Sequence, residues 1–214
     1  MCGEVTDNPW LTISAADYEG HMGAAGVDQL APLAAIFADV YARRRPARVA
    51  VLGCGTGTGL EAVDPTVTRR FVGVDLNPEY LALARTRHPS LADVATWICA
   101  DVTTCAFAAA SLDLIHAALL FEYVDPAALL PRIAGWLAPG GSVSIVLQLP
   151  GGDAAISETG FARLQTLSPL MRLVPPDTVT DLAARAGLVA LAAQQVPLAR
   201  GKSFWAATFG RPEK

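Results

Sequence analysis

The sequence predicts an α/β fold built on a mainly parallel sheet, and three observations support this prediction. Short apolar runs that suit buried strands alternate along the chain with longer segments of helical periodicity. A glycine-rich turn follows the first run directly, as it does where a parallel strand passes into a helix. The last two runs are joined by a short turn, so we expect them to form an antiparallel pair.

The first half of the chain carries clear signals for the starts and ends of helices. Apolar residues recur at helical spacing from Leu30 to Tyr41, and Pro46 ends that segment. Asn77 followed by Pro78 has the order of an N-cap and a first helical residue. The predicted elements are a helix near 27–45, a strand at 48–52, a short helix closed near 64–65, a strand at 71–74, a helix from about 77 to 88 and a strand at 94–100.

The second half continues the same alternation. Asp125-Pro126 starts a helix that we expect to end at 139–141, with Pro131 kinking it or shifting its start. The other predicted elements are strands at 112–119 and 142–149, helices near 154–168 and 176–186, and strands at 188–196 and 202–209. Residues 1–25 are predicted to be an irregular N-terminal lid segment. No linker divides the remainder, so we expect residues 26–214 to form a single domain.

Composition limits the class of protein. The chain has 214 residues, of which 52% are hydrophobic and 17% charged, with a formal net charge of −4. Such a chain builds a globular core, and its acidic balance argues against binding nucleic acid. No stretch has the roughly 18 uncharged residues of a membrane span, the N-terminus lacks an apolar signal core, and the four cysteines lack disulfide or zinc spacing. We therefore expect a cytoplasmic protein with cysteine thiols and no membrane partner. The oligomeric state is not indicated.

The strongest local signal is the segment VAVLGCGTGTG at 49–59, which follows a predicted strand and opens a helix. Glycines at alternate positions let the backbone approach a ligand and adopt conformations that side chains disfavour. Free N–H groups at the start of the helix favour an anionic group. Four glycines exceed what a simple turn needs, so we interpret the segment as a binding loop.

The spacing of these glycines favours one of two cofactor classes. A dinucleotide-binding fold expects Gly-x-Gly-x-x-Gly or -Ala, and neither register of the loop has it. The segment from Gly53 to Gly57 instead resembles the first motif of class I S-adenosylmethionine-dependent methyltransferases. The resemblance implies a Rossmann-like three-layer sandwich whose seven-stranded sheet has an antiparallel last strand. It also implies that S-adenosyl-L-methionine is the cofactor, bound by Gly53, Cys54, Gly55 and Gly57.

Further matches to this family follow in order along the chain. Asp75, with Leu76 after it, resembles the acid at the end of the second strand, which binds both ribose hydroxyls. A carboxylate suits two hydroxyl donors because charge-assisted hydrogen bonds are the stronger kind. Asp101 resembles the acid that accepts from the adenine amino group, and Val102 would flank the ring. Residues 111–115 and 137–141 resemble the start of the fourth strand and the turn before the fifth.

One position departs from the family pattern. An acid usually stands two residues before the first loop glycine and serves the methionine amino group, and Val51 occupies that place. Two replacements are open: Glu61 on the following helix, or a group from the N-terminal segment. Weak or lost cofactor binding is the third alternative.

Two other segments are expected to contact the acceptor, which is the molecule that would receive the methyl group. Glu122 and Tyr123 follow the fourth strand, where the family places substrate-facing groups. The alternative is a solvated glutamate and a packed tyrosine. In the N-terminal segment, Tyr18 would face the cofactor's sulfonium, and His21 would act as general base. The alternative for His21 is a surface residue on a capped helical turn.

The predicted function is therefore transfer of a methyl group from S-adenosyl-L-methionine to a small-molecule acceptor by in-line displacement. The absence of a basic face favours a small molecule over nucleic acid, and a protein acceptor is the remaining alternative. A non-catalytic protein that binds adenosyl ligands, such as a sensor, is the first alternative, and Val51 motivates it. A nicotinamide-dependent oxidoreductase is the second, and the glycine spacing opposes it.

Overall fold

A computed structural model of the chain describes residues 8–151 and 154–213. They form one sheet with the strand order β3-β2-β1-β4-β5-β7-β6. Strands β1 to β5 pair in parallel, and β7 runs antiparallel to both of its neighbours. The predicted seven-stranded sheet is confirmed. The strands are β1 (Arg48–Leu52), β2 (Arg70–Asp75), β3 (Ala95–Cys99), β4 (Leu112–Ala118), β5 (Leu137–Gln148), β6 (Val189–Pro197) and β7 (Ser203–Gly210).

Helices cover both faces of the sheet, and several begin at the predicted caps. The side chain of Asn77 accepts hydrogen bonds from Glu79 N at 2.9 Å and from Tyr80 N at 3.4 Å. Asp125 accepts from Ala127 N at 2.9 Å. These bonds satisfy N–H groups that the first helical turn leaves without partners. The helices are α1 (Ala15–Met22), α2 (Leu30–Arg44), α3 (Pro78–Arg87), α4 (Pro126–Trp136) and α5 (Pro176–Arg185).

The core lies on the two faces of the sheet because successive strand residues point to opposite sides. On β1, Val49 and Val51 pack with Phe37 of α2 and Leu81 of α3. Ala50 belongs to the larger cluster on the other face, which includes buried residues of α4 and α5. The molecule therefore has three layers, as the resemblance implied.

Two predicted helices have different limits in the structure. The helix expected near 154–168 is reduced to a 3-10 helix, Ala162–Leu167. Gly160 disfavours a helix. The Thr159 hydroxyl is hydrogen-bonded to His21, which is distant in the sequence. These tertiary contacts outweigh the local tendency to form a helix. Helix α4 continues through Pro131 but ends at Trp136, and the expected terminator at 139–141 lies inside β5 instead. The side chain of Arg211 donates to Leu137 O at 2.6 Å, and this bond helps to hold the start of β5 in the strand.

The N-terminal segment is more regular than the sequence predicted. Residues 1–7 lie outside the described residues, but Pro9–Leu11 form a 3-10 turn and α1 follows. Ser14 begins α1 by accepting a hydrogen bond from Asp17 N at 3.1 Å. The prediction of an irregular segment was therefore wrong for this part of the chain.

The cysteines differ from the expectation of four thiols. Cys54 and Cys105 are free and buried, whereas Cys99 is disulfide-bonded. Sequence spacing alone carries too little information to predict a pairing of this kind. In the described parts of the chain, we find no helix with the length and apolar character needed to cross a membrane.

Candidate functional site

A cavity opens at the carboxyl ends of the parallel strands, where open α/β sheets bind ligands. Its floor is formed by residues that follow β1, β2, β3 and β4. Its other walls come from the N-terminal segment and from the chain after β5. Among the residues predicted to bind the cofactor, those that line the cavity are Tyr18, Gly53, Cys54, Asp75, Leu76, Asp101 and Val102.

The glycine loop turns sharply after β1. All four of its alternate glycines have positive φ, between 54° and 90°. Gly55 has φ 54°, a conformation that a side chain would strain, and its N–H donates to Asp75 Oδ2 at 2.7 Å. Gly55 and Gly57 therefore shape the loop without lining the cavity. Burial raises the pKa of the Cys54 thiol well above its ordinary value, so Cys54 is a neutral wall of the cavity.

The two strand-end acids follow β2 and β3, which are neighbours in the sheet on one side of β1. Asp75 is the last residue of β2, and its Oδ1 accepts from Asn77 N at 2.9 Å. Burial raises the pKa of Asp75, while the backbone hydrogen bonds from Asn77 and Gly55 oppose that rise. Asp101 Oδ1 accepts from Thr103 N at 2.7 Å in the turn after β3. Both carboxylates are thus oriented by backbone N–H groups at the mouth of the cavity.

Val51, which stands in place of the usual acid, lies beside a buried histidine. Val51 lines the cavity, and His116 is its partner in the parallel register of β1 and β4, so both side chains lie on the same face. His116 Nδ1 lies 3.1 Å from Ser144 Oγ, and burial lowers the pKa of His116 to about 4. Its imidazole is therefore neutral. Glu61 does not line this cavity but a separate shallow groove, so it does not replace the acid.

Tyr80 is a cavity residue that the sequence did not single out. Its hydroxyl is buried and has no hydrogen-bond partner among the described residues. Its ring lies 5.3 Å from that of Tyr18. The position on α3 follows ordinary helical spacing, so the sequence signal is that of a core residue. A buried hydroxyl without a partner, on a residue that lines a cavity, fits a polar ligand.

Two segments, 8–22 and 154–171, cover the cavity together, and we call them the two-part lid. The ring of Trp10 lies 6.2 Å from Tyr18 and 5.1 Å from Tyr123, both in edge-to-face geometry. Asn77 Nδ2 donates to Trp10 O at 2.9 Å and so ties the lid to α3. The two parts share a buried apolar cluster formed by Ile13, Ile156, Leu164 and Leu167.

Comparison with known proteins agrees with this geometry. Residues 50–145 match a family described as a methyltransferase domain. A trans-aconitate 2-methyltransferase of Variovorax paradoxus is 38% identical over 110 residues, which cover 49% of this chain and 39% of that protein. A second one, from Methylobacterium nodulans, is 37% identical over 124 residues, covering 53% of this chain and 43% of that protein. The chain thus spans about two fifths of the length of these relatives.

Solved structures share this fold. The N-methyltransferase NodS of Bradyrhizobium japonicum, in complex with S-adenosyl-L-homocysteine, superposes with a TM-score of 0.73 at 17% identity. The match covers 97% of this chain and 100% of that one. Residues 50–145 therefore carry a methyltransferase domain, as the resemblance implied. The predicted family and cofactor are confirmed.

Of the residues predicted to serve the acceptor, His21 and Tyr123 line the cavity. His21 Nδ1 lies 2.9 Å from Thr159 Oγ1, in the other part of the lid. The pKa of His21 is lowered, first by burial and then by the positive charge of Lys202, so its imidazole is neutral at neutral pH. Burial raises the pKa of the Tyr123 hydroxyl, which stays protonated.

Glu122 was expected to face the acceptor, but the structure does not bring it to the cavity. It is 1% exposed, and its Oε1 accepts from Gln148 N at 2.7 Å. Its Oε2 has no partner among the described residues, and burial raises the pKa of Glu122 to about 7. The turn after β4 folds this side chain inward beneath the strand end. Glu122 therefore positions the end of β5 in the methyltransferase domain.

Two further polar residues, Gln148 and Lys202, line the same cavity. Gln148 Nε2 donates to Ala155 O at 2.6 Å, and Lys202 Nζ donates to the same oxygen at 3.0 Å. Lys202 lies in the turn before β7 and was not predicted from the sequence. One signal was present: the chain has only two lysines, Lys202 and Lys214.

Proposed function

We propose that the protein transfers the methyl group of S-adenosyl-L-methionine to a small-molecule acceptor enclosed under the two-part lid. The observation that carries this proposal is a single cavity that joins the glycine loop and strand-end acids to His21 and Tyr123. In this transfer a bond forms between the acceptor and the methyl carbon while the carbon–sulfur bond breaks. S-adenosyl-L-methionine supplies a methyl group on a positively charged sulfur, which leaves as a neutral thioether.

The cofactor half of the cavity fits this ligand. We assign the ribose hydroxyls to Asp75, the adenine amino group to Asp101 and the ring face to Val102. The unpartnered Tyr80 hydroxyl supports the assignment because it needs a polar ligand atom. The neutral His116 is paired with Val51 in the sheet, at the place of the missing acid, and its ring can accept a hydrogen bond from an amino group.

The lid residues exclude water and hold the acceptor. Tyr18, Trp10 and Tyr123 form a chain of ring contacts over the cavity. Alignment and exclusion of water supply most of the catalysis when the leaving group is already activated. If the acceptor carries a proton at neutral pH, His21 is the base: with Nδ1–H donating to Thr159, its Nε2 is free to take that proton. The names of the trans-aconitate relatives also support a small molecule.

A non-catalytic adenosyl-binding protein is the second candidate, because Val51 replaces an acid that serves the cofactor. Titration calorimetry with S-adenosylmethionine, S-adenosylhomocysteine and NADH, followed by a screen for methyl transfer, separates the candidates. Adenosyl binding with turnover supports the methyltransferase, and adenosyl binding without turnover on any acceptor supports the sensor. Binding of NADH alone would contradict both.

A further inference from the structure

Lys202 is a buried cation that the proposed cofactor does not use. Its residue is 5% exposed, and its side chain lines the acceptor side of the cavity. Its ammonium donates one hydrogen bond, to Ala155 O at 3.0 Å, and forms no ion pair with any described residue. Lysine is rarely buried unless it is paired, because desolvating an ammonium is costly. Two of its three N–H donors are left for a ligand.

The side chains around Lys202 form one polar cluster, and apolar side chains lie near it. His21 lies close enough for the ammonium charge to lower its pKa. Gln29 Nε2 donates to Gln148 Oε1 at 3.3 Å, and Gln148 shares the acceptor Ala155 O with Lys202. The lining also includes several apolar side chains, among them Met22, Leu33, Ile156, Leu167 and Met171, together with the polar Ser157. A ligand that fits has one polar end and an apolar body.

The charged residues that line the cavity indicate the charge of the ligand's polar end. No arginine and no second lysine lines the cavity in the described parts of the chain, although the sequence is rich in arginine. Asp75 and Asp101 line the same cavity and would repel a ligand that carries several negative charges. A single carboxylate balances a single ammonium, and charge-assisted hydrogen bonds hold it.

We propose that the acceptor is a monocarboxylic acid with an apolar body, and that its carboxylate binds the ammonium of Lys202. The proposal rests on the proposed function, since it names the acceptor class of the same site. The carboxylate would take the two free N–H donors of Lys202, and the apolar body would lie against the side chains of the two-part lid.

Titration calorimetry of the full chain, with saturating S-adenosylhomocysteine and without it, tests the proposal. The probes are hexanoate and phenylacetate, their neutral amides, and the tricarboxylate trans-aconitate. The wild-type protein should bind each monoacid at least about tenfold more tightly than its amide, since a hydrogen bond to a charged group contributes about 1.5–3 kcal/mol. Lys202→Met should abolish this preference, and Lys202→Arg should retain part of it.

Arg200→Met is the matched control, because it removes a cation from the same turn at a residue that does not line the cavity. It should leave the preference for the acids intact. Neither variant should change the affinity for S-adenosylhomocysteine. Lys202→Met should not lower the melting temperature, because it removes a buried charge. Should that variant fail to fold, the wild-type comparison and Lys202→Arg still decide.

Three outcomes would overturn the proposal: equal affinity for acids and amides, undiminished acid binding by folded Lys202→Met, or tighter binding of trans-aconitate than of either monoacid. Failure of S-adenosylhomocysteine to bind would contradict the proposed function instead. The titrations without that ligand would still test Lys202, so the two failures are distinguishable.

Discussion

Asp75 Oδ2 accepts a hydrogen bond of 2.7 Å from the backbone N–H of Gly55, which links the end of β2 to the glycine loop after β1. This bond and the one from Asn77 N hold the carboxylate at the cavity before any ligand arrives. A preorganised carboxylate loses little freedom on binding, so its hydrogen bonds to a ligand contribute more fully to affinity. The first prediction follows from this arrangement.

Asp75→Ala should weaken binding of S-adenosylhomocysteine at least about tenfold, because each hydrogen bond to a charged group contributes about 1.5–3 kcal/mol. Calorimetry measures the change. The matched control is Asp93→Ala, which removes an exposed acid outside the cavity and should leave affinity unchanged. A folded Asp75→Ala protein with wild-type affinity would refute the role of Asp75.

Tyr80→Phe should weaken binding of S-adenosylhomocysteine roughly threefold to tenfold, which is the effect of losing one neutral hydrogen bond. It should not lower the free energy of unfolding, because the Tyr80 hydroxyl has no described partner in the unliganded protein. Tyr41→Phe is the contrasting variant. Its hydroxyl lies 2.9 Å from Thr68 Oγ1 and accepts from Asp64 N at 3.0 Å, so it should cost stability and spare affinity. The reverse pattern would show that Tyr80 is only a core residue.

Glu122 should make stability depend on pH. Its pKa is about 7 in the folded protein against an ordinary value of 4.5, because burial disfavours the charged form. Folding therefore favours the protonated carboxyl. Its contribution is fully present below pH 4.5, and is lost as pH rises through about 7. The loss amounts to about 3 kcal/mol.

Glu122→Gln should accordingly be more stable than the wild type at pH 8 and close to it at pH 4.5. Denaturant unfolding at both values measures the difference, with Glu158→Gln, at an exposed position, as the control. A difference between Glu122→Gln and the wild type that stays constant with pH would contradict the raised pKa.

Gly20→Ala should disturb the two-part lid without destabilising the domain. A Cβ at Gly20 would lie 2.1 Å from Phe161 Cζ, so the ring from the second part of the lid must move away from α1. Alanine itself favours a helix over glycine by about 1 kcal/mol, so the melting temperature should not fall. We expect binding of S-adenosylhomocysteine to weaken roughly threefold to tenfold, as for about 1 kcal/mol of lost packing.

Gly160→Ala tests whether that effect is specific. It lies one residue from Phe161, and a Cβ there would meet nothing within 4 Å. Its affinity should equal that of the wild type. If both variants bind equally well, the contact between α1 and Phe161 does not contribute to the ligand site.

The sequence by itself determined the features whose signals are local. Glycine spacing after β1 and acids at strand ends are read from neighbouring residues, because a tight turn and a strand end place those atoms whatever the rest of the chain does. The caps at Asn77 and Asp125 are local for the same reason. These features led to the fold class, the family and the cofactor half of the site.

Only the tertiary structure decided where Lys202, Tyr80 and Glu122 lie relative to the cavity. Lys202 reaches the cavity because β7 inserts between β5 and β6, and Tyr80 faces it because α3 packs beneath the lid. Glu122, next to Tyr123 in sequence, turns inward to the end of β5 instead. Such placements depend on which distant segments pack together, and the burial that sets a side chain's charge is a property of that packing, which no local pattern contains.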